Sequence, residues 1–268
     1  MAAEHLDPSE LGTRKYWDDA YVTELSNFEN NPSDEGTIWF SDSGAEEKIL
    51  EYLTEELCLD TTSTSFLDLG TGNGHLLFML REDGEFNGRM IGVDYSLPSV
   101  QLARTIAAQK GHGGGVGQEE DGAGKTGDKE DREGGEEEED EEGEDAEPIT
   151  FETWDIIHEQ PGEWADKDGG FDVVLDKGTF DAISLSEEVD GSGKRIFEGY
   201  KGKVERLVKP GGILFITSCN WTEPELCRWF EGGELEFDGK VNYPSFTFGG
   251  HKGQTISSIC FRRKKTSS

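Results

Sequence analysis

Between Phe66 and Leu77 the chain reads FLDLGTGNGHLL, and few folds accommodate such a run. Phe66, Leu67 and Leu69 suit a short buried strand, and the apolar run from Leu76 to Leu80 predicts a helix. Between them Gly70, Gly72 and Gly74 allow backbone conformations, and a close approach, that a Cβ would forbid. A strand, a glycine turn and a helix in immediate succession offer bare backbone to a ligand above the strand end. The spacing says which kind. A dinucleotide turn needs its third glycine at position 75, where this chain has His75. The pattern is instead Asp68-x-Gly70-x-Gly72-x-Gly74, whose strand acid is unhelpful to a pyrophosphate but useful to an aminoacyl ammonium.

A second short apolar strand, MIGVDYS from Met90 to Ser96, ends in Asp94 twenty residues after Gly74. A carboxylate at that strand end presents two oxygens to a vicinal diol, as a ribose would offer. Taken together, the two runs resemble motif I and the following acid of the class I S-adenosylmethionine (AdoMet) methyltransferases. The resemblance implies AdoMet as cofactor, held by Asp68, Gly70, Thr71, Gly72, Gly74, Asp94 and Tyr95. It also implies that Asp155, at the end of the third strand, accepts the adenine amine while Trp154 or Ile156 packs on the ring.

The rest of the chain alternates strand and helix signals. Strands are expected near 65–69, 90–94, 149–153, 171–175 and 212–218, and helices near 13–28, 43–57, 75–81, 98–110, 194–208 and 224–230. That order predicts an α/β fold: a mostly parallel sheet of Rossmann-like, class I methyltransferase type, with helices on both faces. Two strand-like runs, 234–243 and 255–262, predict a terminal antiparallel pair. One domain is expected over residues 11–263, with a disordered start at 1–10 and a tail at 264–268. Gly111 to Glu147 interrupts it with 17 acids against 3 Lys or Arg and no large apolar residue beyond Val116. A disordered surface insertion is expected there.

The formal charge is −33, and the insertion accounts for −14 of it, so the remainder still carries −19. A surface so acidic repels phosphodiester backbones and anionic lipid heads, which argues against nucleic-acid or membrane partners. Four scattered cysteines lack metal-ligand spacing, so neither a zinc site nor a disulfide framework is expected. With no signal peptide or apolar run of membrane-spanning length, a soluble cytosolic or nuclear protein is expected. No apolar stripe demands a partner subunit, so a monomer is the expectation.

The fourth strand runs into Asp176-Lys177-Gly178-Thr179-Phe180-Asp181, at the sheet end where open α/β folds place their active crevice. This is not the Asn/Asp-Pro-Pro-aromatic run of DNA amino-methyltransferases. Beyond the fifth strand lies Ser218-Cys219-Asn220-Trp221-Thr222, and later Phe246-Thr247-Phe248-Gly249-Gly250. Aromatics beside acids suit a lysine side chain, whose methylenes pack on rings and whose cationic end is drawn to their faces. With Leu11-Gly12-Thr13, Tyr16-Trp17-Asp18 and Ile38-Trp39-Phe40, these blocks resemble the Efm4/METTL10 family, the lysine methyltransferases of translation elongation factor 1A. The likeness runs from Leu11 to Phe261; Ser41-Asp42 stand where that family usually has Gly-Glu, and the acidic insertion is a second departure.

That resemblance implies methyl transfer from AdoMet to a lysine ε-amine of the elongation factor, a basic protein that an acidic enzyme would attract. Asp176 would contact AdoMet and orient the amine or accept its proton. Trp39, Phe40, Lys177, Gly178, Thr179, Phe180, Asn220, Trp221, Phe246 and Phe248 would shape the lysine channel. Two other readings stay open on the residues alone: a small-molecule methyltransferase, and a non-catalytic adaptor on an AdoMet fold.

Overall fold

The structure, a computed structural model, describes residues 5–113, 146–165, 167–244, 246–248, 251–253 and 255–265, the two short β segments by their backbone. Residues 1–4, and 114–145 of the expected insertion, lie outside the described residues. Residues 5–10 lie against the domain: the Ser9 N–H donates to Leu185 O (3.1 Å) and His5 meets the Phe197 ring edge-on at 5.2 Å.

Thr13 caps helix α1 (Arg14–Asn30), its Oγ1 accepting the Tyr16 N–H at 3.3 Å. Helix α2 (Ala45–Glu51) runs on as a π-helical turn, Tyr52–Glu56. Then come β1 (Phe66–Leu69), α3 (His75–Glu82), β2 (Met90–Asp94), α4 (Leu97–Lys110), β3 (Ile149–Thr153), β4 (Phe171–Lys177) and α5 (Thr179–Ser184). Helix α6 (Tyr200–Leu207), β5 (Val208–Ser218), α7 (Glu223–Phe230), β6 (Leu235–Lys240), β7 (Phe246–Phe248), β8 (His251–Gly253) and β9 (Ser257–Arg263) complete the chain. The helix expected over 194–208 is shorter, and β5 begins four residues earlier than expected. Lys209 precedes Pro210, which disfavours helical backbone there and turns the chain extended.

The main sheet has the order β3-β2-β1-β4-β5-β9-β6. Strands β1 to β5 are parallel, and β9 runs antiparallel between β5 and β6. The expected terminal antiparallel pair is therefore β6–β9, and the connection between them folds back as the separate β7–β8 hairpin.

Strand periodicity divides the core. Phe66, Met90, Val173 and Ile213 join α1 to α4 in one cluster, while their neighbours Leu67, Ile91, Val174 and Leu214 join α5 to α7 in the other. Both faces are thus covered, as a parallel sheet requires. The chain leaves β1 toward β2 on one side and returns to β4 on the other, so a crevice opens at the C-terminal ends of β1 and β4.

Candidate functional site

A cavity of about 320 Å³ occupies that crevice, within the range of small-molecule sites. Its floor is the glycine turn. Gly70 and Gly72 have φ of +62° and +59°. A Cβ on Gly70 would lie 2.2 Å from Thr179 Oγ1, and one on Gly72 2.5 Å from the Tyr21 hydroxyl, so both positions need glycine for space as well as for backbone angle. Asp94 fastens this turn: Oδ2 accepts the Gly72 N–H (3.2 Å), Oδ1 accepts the Ser96 N–H (2.9 Å), and Ser99 Oγ donates to Gly72 O (2.8 Å). Burial pushes the Asp94 carboxyl up to about 6 despite those donors.

Beside it, Asp155 accepts the backbone N–H groups of Ile157 (2.9 Å) and His158 (3.1 Å) on Oδ1, and faces His158 Nδ1 (3.0 Å) and Arg14 Nη1 (3.8 Å) with Oδ2. Burial works against its ionisation, but the bonds to His158 outweigh it and hold the carboxyl below the ordinary range. Tyr95, Trp154 and Ile156 complete this wall, and the Arg14 guanidinium lies 5.1 Å from the Tyr95 ring centre. A glycine cradle, a strand-end carboxylate with lone pairs to spare and an aromatic wall fit an adenosine carrying an aminoacyl tail.

The opposite wall comes from the β4 exit and from residues before α2. Phe40 has φ +67°, unusual for a bulky residue, and its ring lies over Gly178, where a Cβ would approach it to 3.2 Å. Trp39 is 39 % exposed at the mouth. Lys177 lines the cavity and donates to Trp39 O (3.3 Å), and Thr179 and Asn220 border the same end.

Of the expected site residues, Thr71, Gly70, Gly72, Asp94, Tyr95, Trp154, Asp155, Ile156, Trp39, Phe40, Lys177, Gly178, Thr179 and Asn220 line this one cavity. Asp68, Gly74, Asp176, Phe180 and Trp221 do not. Asp68 is buried beneath the turn, where desolvation raises its carboxyl to about 7. Gly74 closes the turn, its N–H donating to Thr71 O at 3.0 Å.

Asp176 corrects the expectation most sharply. Successive strand residues point to opposite faces, so Asp176 follows Val174 toward α5 and α6 while Lys177 follows Leu175 toward α2. There Asp176, 1 % exposed, accepts the N–H groups of Thr179 (2.9 Å) and Phe180 (3.1 Å) and the Tyr200 hydroxyl (2.7 Å). Burial raises it to about 7, but it serves the start of α5 and does not reach the cavity. Phe180 and Trp221 are also buried, packed in one aromatic cluster: Phe180 meets Phe197, Tyr200, Trp221, Trp229 and Phe230, and Trp221 meets Phe197 and Trp229. The side chains of Phe246 and Phe248 lie outside the described residues.

Several wall residues escaped the sequence reading. Trp17 and Tyr21 of α1 also face the cavity, with Gly12 and Arg14 before them. Asp181, five residues beyond Asp176, lines it too. It is buried, accepts the Cys219 N–H (2.8 Å) and the Ser218 hydroxyl, and is pushed up by burial. Among the described residues no cluster of three His, Cys, Asp or Glu could hold a metal, and no helix is long and apolar enough to cross a membrane.

Comparison with known proteins agrees with this architecture. The family model described as "Methyltransferase domain" matches residues 60–116, which span the glycine turn and Asp94. The chain is 40 % identical over 258 residues to the protein-lysine N-methyltransferase EFM4 of Saccharomyces cerevisiae, covering 96 % of each chain. It is 31 % identical over 256 residues to the human EEF1A lysine methyltransferase 2, covering 96 % of this chain and 88 % of that one. Among solved structures, a TehB-like SAM-dependent methyltransferase of Corynebacterium glutamicum superposes with a TM-score of 0.52 at 13 % identity, covering 94 % of this chain and all of the other. At that identity the likeness is one of fold.

Proposed function

The chain belongs to the family of protein-lysine N-methyltransferases that includes EFM4 and EEF1A lysine methyltransferase 2, and on that premise we propose that it methylates a lysine ε-amine of translation elongation factor 1A, using AdoMet. The observation that carries the reading is 31–40 % identity to these enzymes over nearly the full length, together with a glycine-floored cavity whose two walls differ in character. AdoMet supplies a methyl group on a sulfonium, open to in-line displacement by an amine. Gly70 and Gly72 would receive its aminoacyl portion against backbone, Asp94 the ribose hydroxyls, and Asp155 with Trp154 and Ile156 the adenine.

The acceptor must arrive as a neutral amine. A lysine of ordinary pKa near 10.4 is almost wholly charged at pH 7, so the site must offset about 4 to 5 kcal/mol of deprotonation. Phe40, Trp39 and Gly178 desolvate and align the side chain, which favours the uncharged form. Asp176 does not line the cavity, so it is not placed to take the proton. Besides Asp94 and Asp155 of the cofactor wall and the exposed Glu188, Asp181 lines the cavity, and burial makes it a better base than a free carboxylate. The Asp181→Asn variant is expected to lose most of kcat, with AdoMet binding kept within about threefold.

Intact-protein mass spectrometry of unmethylated elongation factor 1A, incubated with the chain and AdoMet, tests the reading. Whole methyl units on one lysine, absent with Asp94→Ala, support it. No gain of mass despite AdoMet binding rejects this substrate, and activity on a free metabolite alone would select the small-molecule reading.

A further inference from the structure

One buried carboxylate, Glu46, is accounted for by neither the cofactor wall nor the acceptor wall, and it joins two partly buried side chains, His75 and Lys177. Glu46, on the first turn of α2 and only 4 % exposed, faces His75 Nδ1 at 2.6 Å with Oε2 and Lys177 Nζ at 3.3 Å with Oε1. His75 opens α3 directly after Gly74. Lys177 lines the cavity, donates to Trp39 O, and lies 5.9 Å from the centre of the Phe40 ring. One carboxylate therefore ties the glycine turn to the acceptor wall.

Packing alone does not call for such a group, since a buried ion pair is often no more stabilising than apolar residues of the same volume. Its charge is the distinguishing property. The cavity must hold a sulfonium and admit an ammonium, and a lysine ammonium in its wall repels both. Charges several ångströms apart in a partly dry site interact strongly enough to change affinity tenfold or more. Burial opposes ionisation of Glu46, but the bond from His75 and the charge of Lys177 outweigh it and keep the carboxyl below its ordinary range. Among the described residues Glu46 is the ion-pair partner of Lys177. Asp68 also lies in the field of Lys177, but with its carboxyl near 7 it carries only part of a charge at neutral pH.

We propose that Glu46 is a positioning residue acting through Lys177: it neutralises that ammonium so that the cavity accepts a cationic donor, and holds it on the Trp39 carbonyl beside Phe40. This rests on the AdoMet reading above, because the sulfonium is what an uncompensated Lys177 would repel. It concerns charge, so it separates AdoMet from S-adenosylhomocysteine, which has the same adenosine and aminoacyl groups but a neutral sulfur.

Calorimetric Kd values for both ligands, with wild type, Glu46→Gln and the Glu46→Gln/Lys177→Met pair, test it. In Glu46→Gln, AdoMet should weaken about tenfold more than S-adenosylhomocysteine, and the double variant should return the ratio of the two Kd values to within about twofold of wild type. A purely structural role moves both ligands together. An unchanged ratio in Glu46→Gln, or one still displaced in the double variant, overturns the proposal. Should Glu46→Gln fail to fold, Lys177→Met alone decides: removing the ammonium while Glu46 stays paired with His75 must shift the ratio in favour of AdoMet, and an unshifted ratio overturns the proposal. A wild type that binds neither ligand overturns the cofactor reading itself, whereas the outcomes above leave that reading intact.

Discussion

The two ends of the cavity are built by different means. At the cofactor end the backbone is the instrument: positive-φ glycines lie where a side chain would collide, and Asp94 fixes the turn through amides close to it in the sheet. At the end proposed for the acceptor, side chains from distant segments converge, with Phe40 over Gly178 and Lys177 reaching Trp39 and Glu46. The first arrangement can be shared by any enzyme using one cofactor, because it depends on local chain geometry. The second can vary with the acceptor, because each wall residue is replaceable without disturbing the turn.

The largest effect should come from Gly70→Ala. Its Cβ meets Thr179 Oγ1 at 2.2 Å and the backbone stands at φ +62°, so AdoMet affinity should fall by about 100-fold, measured by calorimetry. At the other end, Gly178→Ala puts a Cβ 3.2 Å from the Phe40 ring at φ +86°. Acceptor KM should rise about tenfold while the AdoMet Kd moves less than about twofold. Equal changes in both constants would mean that the two ends are a single unit.

Asp176 gives a sharper test, since sequence and structure assign it different work. Tyr200→Phe removes the hydroxyl that donates to Asp176 Oδ2, so stability in denaturant melts should fall by about 1–3 kcal/mol with kcat unchanged. A displaced kcat–pH profile in that variant would return Asp176 to the reaction.

The smallest effect is on acidity. Asp68 and Asp176 titrate near 7 and Asp94 near 6 in the folded chain, above their unfolded values, so between about pH 4 and 7 the folded state binds more protons. Stability should therefore rise as pH falls from 8 to 6, by about 3–6 °C in Tm. His75 and His158 have raised values and act in the same direction, their contribution being lost as pH rises through the folded pKa. A Tm that is flat or rises with pH would contradict the burial of these acids.

The same contrast explains what could be read from sequence. Gly70, Gly72 and Asp94 were legible because backbone conformation and strand ends leave local signatures. The strand runs were legible for the same reason, and the order of strand and helix signals gave the parallel sheet with helices on both faces. Alternation also carried the information that Asp176 and Lys177 face opposite ways, but a row of polar residues at a strand exit hid it. The pairing of Glu46 with Lys177, like the share of Trp17 and Tyr21 in the cavity wall, depends on how α1 and α2 dock, which no local pattern encodes. Trp221 and Phe180 were misplaced for a plainer reason: aromatics near a site are read as its walls, whereas here they fill the core beneath it.

The separation of the two ends is tested most directly by titrating AdoMet calorimetrically into wild type, Asp94→Ala and a Trp39→Ala/Phe40→Ala double variant, with methyl transfer to the protein acceptor measured on the same samples. Asp94→Ala should lose binding and transfer together, while the aromatic variant should bind AdoMet within about twofold of wild type yet transfer at least about tenfold more slowly. An aromatic variant that loses AdoMet binding as completely as Asp94→Ala would contradict the account.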